Sequence, residues 1–299
     1  MNRPLRVALC LSGVLGALVS AAACRRQDPP VAELAVTPAS LTLAYPEFRD
    51  LELVFKPKAD REALGLSPTV FVHLLSAPGD VLRTFDHPLP DGWKPDGTLR
   101  YPLRLVQSAI GEALPAGEYT LSLGVYDADD RRRFALSTQG KEIDRHEYAV
   151  ASVRVPEATG AIPRFEFSST WLPTQAGSDQ QIVASRWLGD AEGSLRVTGL
   201  TVGSRLHLML RLPSGSEPGL RFERLPDAQG PALAIRSNCS PEELVLTGPG
   251  VHAVELVVPP GVADGACEIG LHANFVLASE RAAVRYAVLL ESLAWQSPR

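Results

Sequence analysis

Residues able to do chemistry are present in this chain, but their spacing assembles no recognised catalytic set. The six histidines, at 73, 87, 146, 207, 252 and 272, stand singly, with no His-Glu-x-x-His and no pair at i and i+4. A zinc site needs several such ligands within reach of one ion, so these His read as packed or surface residues. No Gly-x-Ser-x-Gly elbow occurs. The nearest approach, Pro213-Ser214-Gly215-Ser216-Glu217, has the composition of a turn. Asp127-Ala128-Asp129-Asp130 offers oxygen ligands for calcium but lacks the Gly and the later bidentate Glu of an EF-hand loop, and a hairpin turn suits it better. Glycine-rich phosphate loops are missing, and one sequence cannot place two carboxylates at a glycosidase separation. The expectation is a chain with no catalytic residues, no metal and no cofactor.

Flat aromatic rings offer another chemistry, since a ring can cover the apolar face of a sugar. Of Trp93, Trp171, Trp187 and Trp295, the first lies in Asp91-Gly92-Trp93-Lys94-Pro95, a loop composition, and is the candidate ligand-binding ring. Trp187 and Trp295 end apolar runs and read as core residues, the default for aromatics.

The amino terminus says where such a protein would work. Arg3 and Arg6 precede an apolar stretch, residues 7–23, which is short for a membrane span and ends in small residues before Cys24. This is the pattern of a cleaved signal peptide over 1–23; a short uncleaved anchor is the alternative. Val19-Ser20-Ala21-Ala22-Ala23-Cys24 resembles the lipobox of bacterial lipoproteins, with Ala21 where that family usually has Leu. The resemblance implies lipidation of Cys24, where several acyl chains at about 0.8 kcal/mol per buried methylene anchor a protein stably. It also implies retention in the cell envelope. With Arg25 rather than Asp after Cys24, the enterobacterial inner-membrane signal is missing and the outer membrane is favoured.

With Cys10 in the leader and Cys24 under lipid, two of the four cysteines remain, Cys239 and Cys267. In an oxidising compartment such a pair forms a disulfide more readily than a metal site, two buried thiols being the alternative. Loss of Arg3 and Arg6 takes the net charge from -5 to -7. An acidic chain whose one basic run, Arg131-Arg132-Arg133, sits beside Asp127, Asp129 and Asp130 is no partner for nucleic acid.

The elements that would position these residues are strands. At 299 residues and 45% hydrophobic, the chain suits two domains with cores of their own. Residues 24–30 read as a lipidated tether and 157–163 as a linker. Between them, Thr69 to Leu75 and Glu118 to Tyr126 alternate with a period of two, placing Tyr119, Leu121, Leu123 and Val125 on one face. Short strands about ten residues apart, joined by turns such as Asp96-Gly97, predict an antiparallel sandwich over 31–156, with one or two helical turns over 58–64. Residues 164–299 read as a second, jelly-roll-like sandwich, so the fold class is all-β. The run 283–295 has helical spacing at Ala283, Tyr286, Ala287, Leu290, Leu293 and Ala294, but is read as strand.

Val70-Phe71-Val72-His73-Leu74, Asp86-His87-Pro88, Leu114-Pro115-Ala116-Gly117-Glu118-Tyr119 and Leu123-Gly124-Val125-Tyr126-Asp127 together resemble an immunoglobulin-like module of bacterial envelope proteins. That module is found in soluble tails of membrane glycosyltransferases that use polyprenyl-linked sugars. Two of its segments are also similar to polysaccharide-binding domains of O-antigen exporters. Arg186-Trp187, Leu271 to Phe275 and Arg285 to Trp295 resemble, more loosely, the sandwich that follows it. The resemblance implies a non-enzymatic lipoprotein, membrane-held through Cys24, that binds or positions a polysaccharide or an envelope protein. A structural or assembly lipoprotein without a small ligand is the alternative, and a sandwich-fold hydrolase stands last.

Overall fold

The computed structural model describes residues 28–77, 79–157, 162–177, 184–224, 230–262 and 265–298. The expected signal peptide, Cys24 and most of the linker lie outside the described residues.

Strands dominate because the alternating apolar residues leave each strand one face to bury. In the first half, one sheet orders Leu136–Thr138, Ala32–Thr37, Phe48–Pro57 and Leu99–Val106. Facing it run Lys141–Asp144, Glu147–Val155, Gly117–Asp127, Pro68–Leu75 and Val81–Thr84. Ser40–Thr42 lies parallel along Glu147–Val155, so the leading part of the chain serves both sheets. The result is an immunoglobulin-like sandwich. Leu51, Leu53 and Phe55 meet Val70, Val72, Leu74, Leu121, Leu123 and Val125 in its core. The Tyr119 hydroxyl donates to the Pro115 carbonyl at 2.6 Å, forming the tyrosine corner that pins such sandwiches. The expected helical turns reduce to one 3₁₀ turn, Arg61–Leu64.

The second half packs two five-stranded antiparallel sheets in a jelly-roll-like sandwich. One orders Arg164–Phe167, Glu192–Thr198, Cys267–Ala273, Ala232–Ser237 and Leu244–Thr247. The other orders Gln175–Ala176, Ala184–Trp187, Leu289–Gln296, Arg205–Leu212 and Gly250–Val257. Leu206, Leu208, Leu210 and Leu212 fill the space between them. The ambiguous final run is strand, Arg285–Tyr286 and then Leu289–Gln296 paired along Arg205–Leu212. Its helical spacing is overruled because strand partners take its backbone groups, Val276–Ser279 for Arg285–Tyr286 and Arg205–Leu212 for Leu289–Gln296. Cys239 and Cys267 are joined in a disulfide, their Cα atoms 5.6 Å apart.

The halves meet end to end. Glu47 bridges Trp295, the Ala109 amide donates to the Leu293 carbonyl at 2.6 Å, and Ile110 packs into the second core. Above this seam, Arg104 donates to both Asp50 oxygens, at 2.7 and 2.9 Å. Its Nη1 also reaches Glu255 and His207 in the second sandwich, each at 3.0 Å. Arg205 holds Glu255 from the other side at 2.8 Å, and both guanidiniums lie over the Phe48 ring.

Candidate binding cleft

Trp93, the expected ligand-contacting ring, is 4% exposed. It packs against Phe55 and donates its indole N–H to the Ala59 carbonyl at 3.0 Å. The turn around it leads into Leu99–Val106, and its loop composition described the backbone and not the ring. Trp93 belongs to the core and is not a ligand platform. Trp171 is also buried, donating to the Ser194 carbonyl at 2.9 Å. Trp187 stands half-buried against Tyr286, and Trp295 half-buried at the seam.

Asp127, Asp129 and Asp130 serve the turn. Asp127 accepts from the amides of Ser67 and Asp129, Asp129 from the Ser67 hydroxyl, and Asp130 from the Arg132 amide. The histidines are engaged singly, among them His87 with the Tyr101 hydroxyl at 3.0 Å and His252 with the Gly248 carbonyl at 3.1 Å.

Sequence reasoning missed the outward face of Gly117–Asp127. Ser122 and Gly124, assigned there by alternation, are buried like their core-facing neighbours. Pairing in register places Phe71 opposite Gly124 and His73 opposite Ser122. A Cβ on Gly124 would stand 2.2 Å from the Phe71 ring and 2.5 Å from the His146 carbonyl, so glycine is what lets the ring lie across the strand. Beside it, Glu147 Oε1 accepts from the Ser122 hydroxyl at 2.6 Å and from His73 Nδ1 at 3.1 Å. The His73 bond holds the Glu147 carboxyl below the ordinary range, although burial pushes the other way. Arg133 reaches Glu147 at 3.4 Å and Asp144 at 3.1 Å, its guanidinium over the Phe71 ring.

Above this floor opens a cleft of about 290 Å³ lined by Phe71, His73, Asp86, Tyr126, Arg131 and Arg133. Burial raises the Asp86 carboxyl, against the Val72 amide donated to it at 3.0 Å. Of the arginine triplet, Arg132 pairs with Asp130 as expected, but Arg133 is neutralised from the neighbouring hairpin. Arg131, at φ 62°, is exposed, and its guanidinium has no partner among the described residues. A shallower groove of about 510 Å³ on the opposite sheet is lined partly by Asp50, Glu52 and Arg100. There Arg100 closes on Glu52 at 2.5 Å and Asp50 is held by Arg104, so its charges are committed.

No family model matches this sequence, and no curated protein matches it. Among solved structures, it is similar to a carbohydrate-binding module of the β-sandwich superfamily at 12% identity, over 90% of this chain and 98% of that one, with a TM-score of 0.25. Salmonella alpha-2-macroglobulin, as a Y1175G mutant, is similar at 14% identity over 91% of this chain but 15% of its own length, TM-score 0.24. Bacteroides uniformis β-glucuronidase is similar at 8% identity over 92% of this chain and 31% of its own length, TM-score 0.27. At these scores the likenesses carry no argument about function, and the sandwich architecture stands on the sheets themselves.

Proposed function

We propose that this chain is a non-enzymatic lipoprotein of the cell envelope, held at a membrane, by preference the outer membrane, through acyl chains on Cys24. Its task is to bind or position a glycan or a protein partner. The observation that supports this most is the cleft, where Arg131 presents an uncommitted guanidinium beside the half-buried Tyr126 ring. A guanidinium donates up to five hydrogen bonds, and an aromatic ring offers an apolar face, which together suit a hydroxyl-rich or anionic ligand.

Binding rather than turnover fits the polar floor. The Ser122 hydroxyl is fully buried and donates to Glu147, while His73 donates to that same carboxylate instead of facing the hydroxyl as a base.

Calorimetric titration of the full-length mature protein with fractionated envelope polysaccharides tests the reading, with Arg131→Ala and Tyr126→Ala alongside. Saturable binding weakened at least tenfold in both variants supports a glycan ligand. No response to any glycan, with a co-purifying envelope protein lost in the same variants, supports the protein partner. Binding indifferent to both substitutions removes the cleft from the account.

A further inference from the structure

We propose that the Leu66 end of the first sandwich rests on the lipid surface while the second sandwich projects away from it. This depends on the Cys24 anchor proposed above. Leu66 is 91% exposed, the most exposed large apolar side chain among the described residues. It is thrown outward by Gly65, at φ 93°, where a Cβ would strike the Asp127 carboxylate at 1.8 Å. A leucine held in water by a pinned turn gains free energy wherever it meets an apolar phase.

The chain's path says which phase that is. Asp28 is fastened to His146 Nε2 at 3.1 Å, and Val31 donates to the Ala135 carbonyl at 2.9 Å and accepts from the Lys58 amide at 2.7 Å. The tether therefore leaves from the end that carries the connections 58–67, 128–132 and 145–146. The first two are tied together by the Ala128 amide on the Ser67 carbonyl at 3.0 Å. Cys24 precedes Asp28 by four residues, a reach of at most about 14 Å. Acyl chains there bring this end, and no other, within contact of the bilayer. Contacts with the second sandwich come from Pro46, Glu47, Arg104, Ser108 and Ala109, at the opposite end of the strands. The cleft opens on the flank, with His73 five residues along its strand from Pro68, within about 20 Å of the lipid.

Charge does not drive this contact. Arg131 and Arg132 are exposed at the same end, but so are Glu62, Asp129 and Asp130. The contact is apolar, and raised salt leaves it intact.

The test labels Leu66→Cys with an environment-sensitive fluorophore in the full, acylated protein in phosphatidylcholine vesicles carrying a lipid-borne quencher. Val245→Cys, at an exposed position of the second sandwich, serves as the distal control. The mass of the N-terminal peptide is measured on the same sample. Acylated Cys24 with a blue-shifted label at 66, quenched at least threefold more than at 245 and unchanged in 0.5 M salt (about a 4 Å Debye length), is the expected result. Acylated Cys24 with both labels emitting as in water overturns the inference and leaves the anchor standing. An unacylated Cys24 overturns the anchor and the inference with it.

Discussion

Arg104 of the first sandwich and Glu255 of the second meet directly, Nη1 to Oε2, at 3.0 Å, while the same guanidinium grips Asp50 bidentately. One side chain thus ties a strand of each sandwich. Burial pushes the Asp50 carboxyl up, but Arg104, with Arg205 behind it, draws it further down, and Glu255 is lowered in the same way. These side chains are only partly covered, so removing one partner leaves the others short of a hydrogen bond but within reach of water.

Arg104→Met keeps the length of the side chain over Phe48 and deletes the charge. A loss of about 1 to 2 kcal/mol is expected, since these partners keep a fifth to a third of their side-chain surface in water and solvent screens the pair. Calorimetry is expected to resolve two transitions in the variant and one in the wild type. A single transition within 0.5 kcal/mol of wild type (the scale of an ordinary surface substitution, about that size) would show that the seam does not depend on this network.

His207 gives the seam a pH dependence. Burial first, and then the neighbouring Arg104, depress its pKa from 6.5 to about 4, so the folded protein holds it neutral with Nδ1 accepting from Arg104. The unfolded chain takes up the proton near 6.5 and the folded chain only near 4. Stability is therefore complete above pH 6.5 and falls as pH drops through that window, by about 3 kcal/mol across the whole of it. The unfolding free energy from urea titration should fall between pH 7.5 and 5.0 for the wild type, and by about 2 kcal/mol less for His207→Gln. Equal falls would exclude His207 as the group responsible. Asp50 and Glu255, lowered in the fold, add their own loss only below the ordinary carboxylate range.

The disulfide closes a loop of 28 positions in the second sandwich. Loop entropy assigns such a link about 3 to 4 kcal/mol. Cys239→Ala with Cys267→Ala should lower the transition of the second sandwich by roughly that amount and leave the first unchanged in the Arg104→Met background, where the two unfold separately. An unchanged midpoint in the double variant would mean that the strands around Cys267 hold without the link.

Strands were legible in the sequence wherever one face is apolar and the other wet. Thr69 to Leu75 and Glu118 to Tyr126 fall within Pro68–Leu75 and Gly117–Asp127, where alternation put them. Lys141–Asp144 was invisible because all four residues are exposed, so no buried apolar face marks it as a strand. The cleft was illegible for another reason. His73 and Glu147 are 74 positions apart, and only the register of two intervening ladders brings them to 3.1 Å. Trp93 misled because turn residues around it fix the path of the chain and say nothing of where a large ring can find apolar cover.

Gly124 offers the sharpest test of the cleft, because its missing side chain is what the Phe71 ring occupies. Gly124→Ala sets a methyl where the ring and the His146 carbonyl now lie, so the ring must lift from the sheet and carry the Arg133 guanidinium with it. Overpacking of this kind costs about 1 to 3 kcal/mol. Phe71→Leu in the same chain frees space above residue 124 and should recover about half of that loss, giving a coupling above 0.5 kcal/mol in the double-mutant cycle, roughly the threshold for residues in contact. If the ring is the cleft floor, Gly124→Ala also weakens ligand binding while Phe71→Leu alone weakens it less, since Leu still covers Gly124. Additive stability effects with unaltered binding would place the ligand elsewhere and leave Arg131 an ordinary surface arginine.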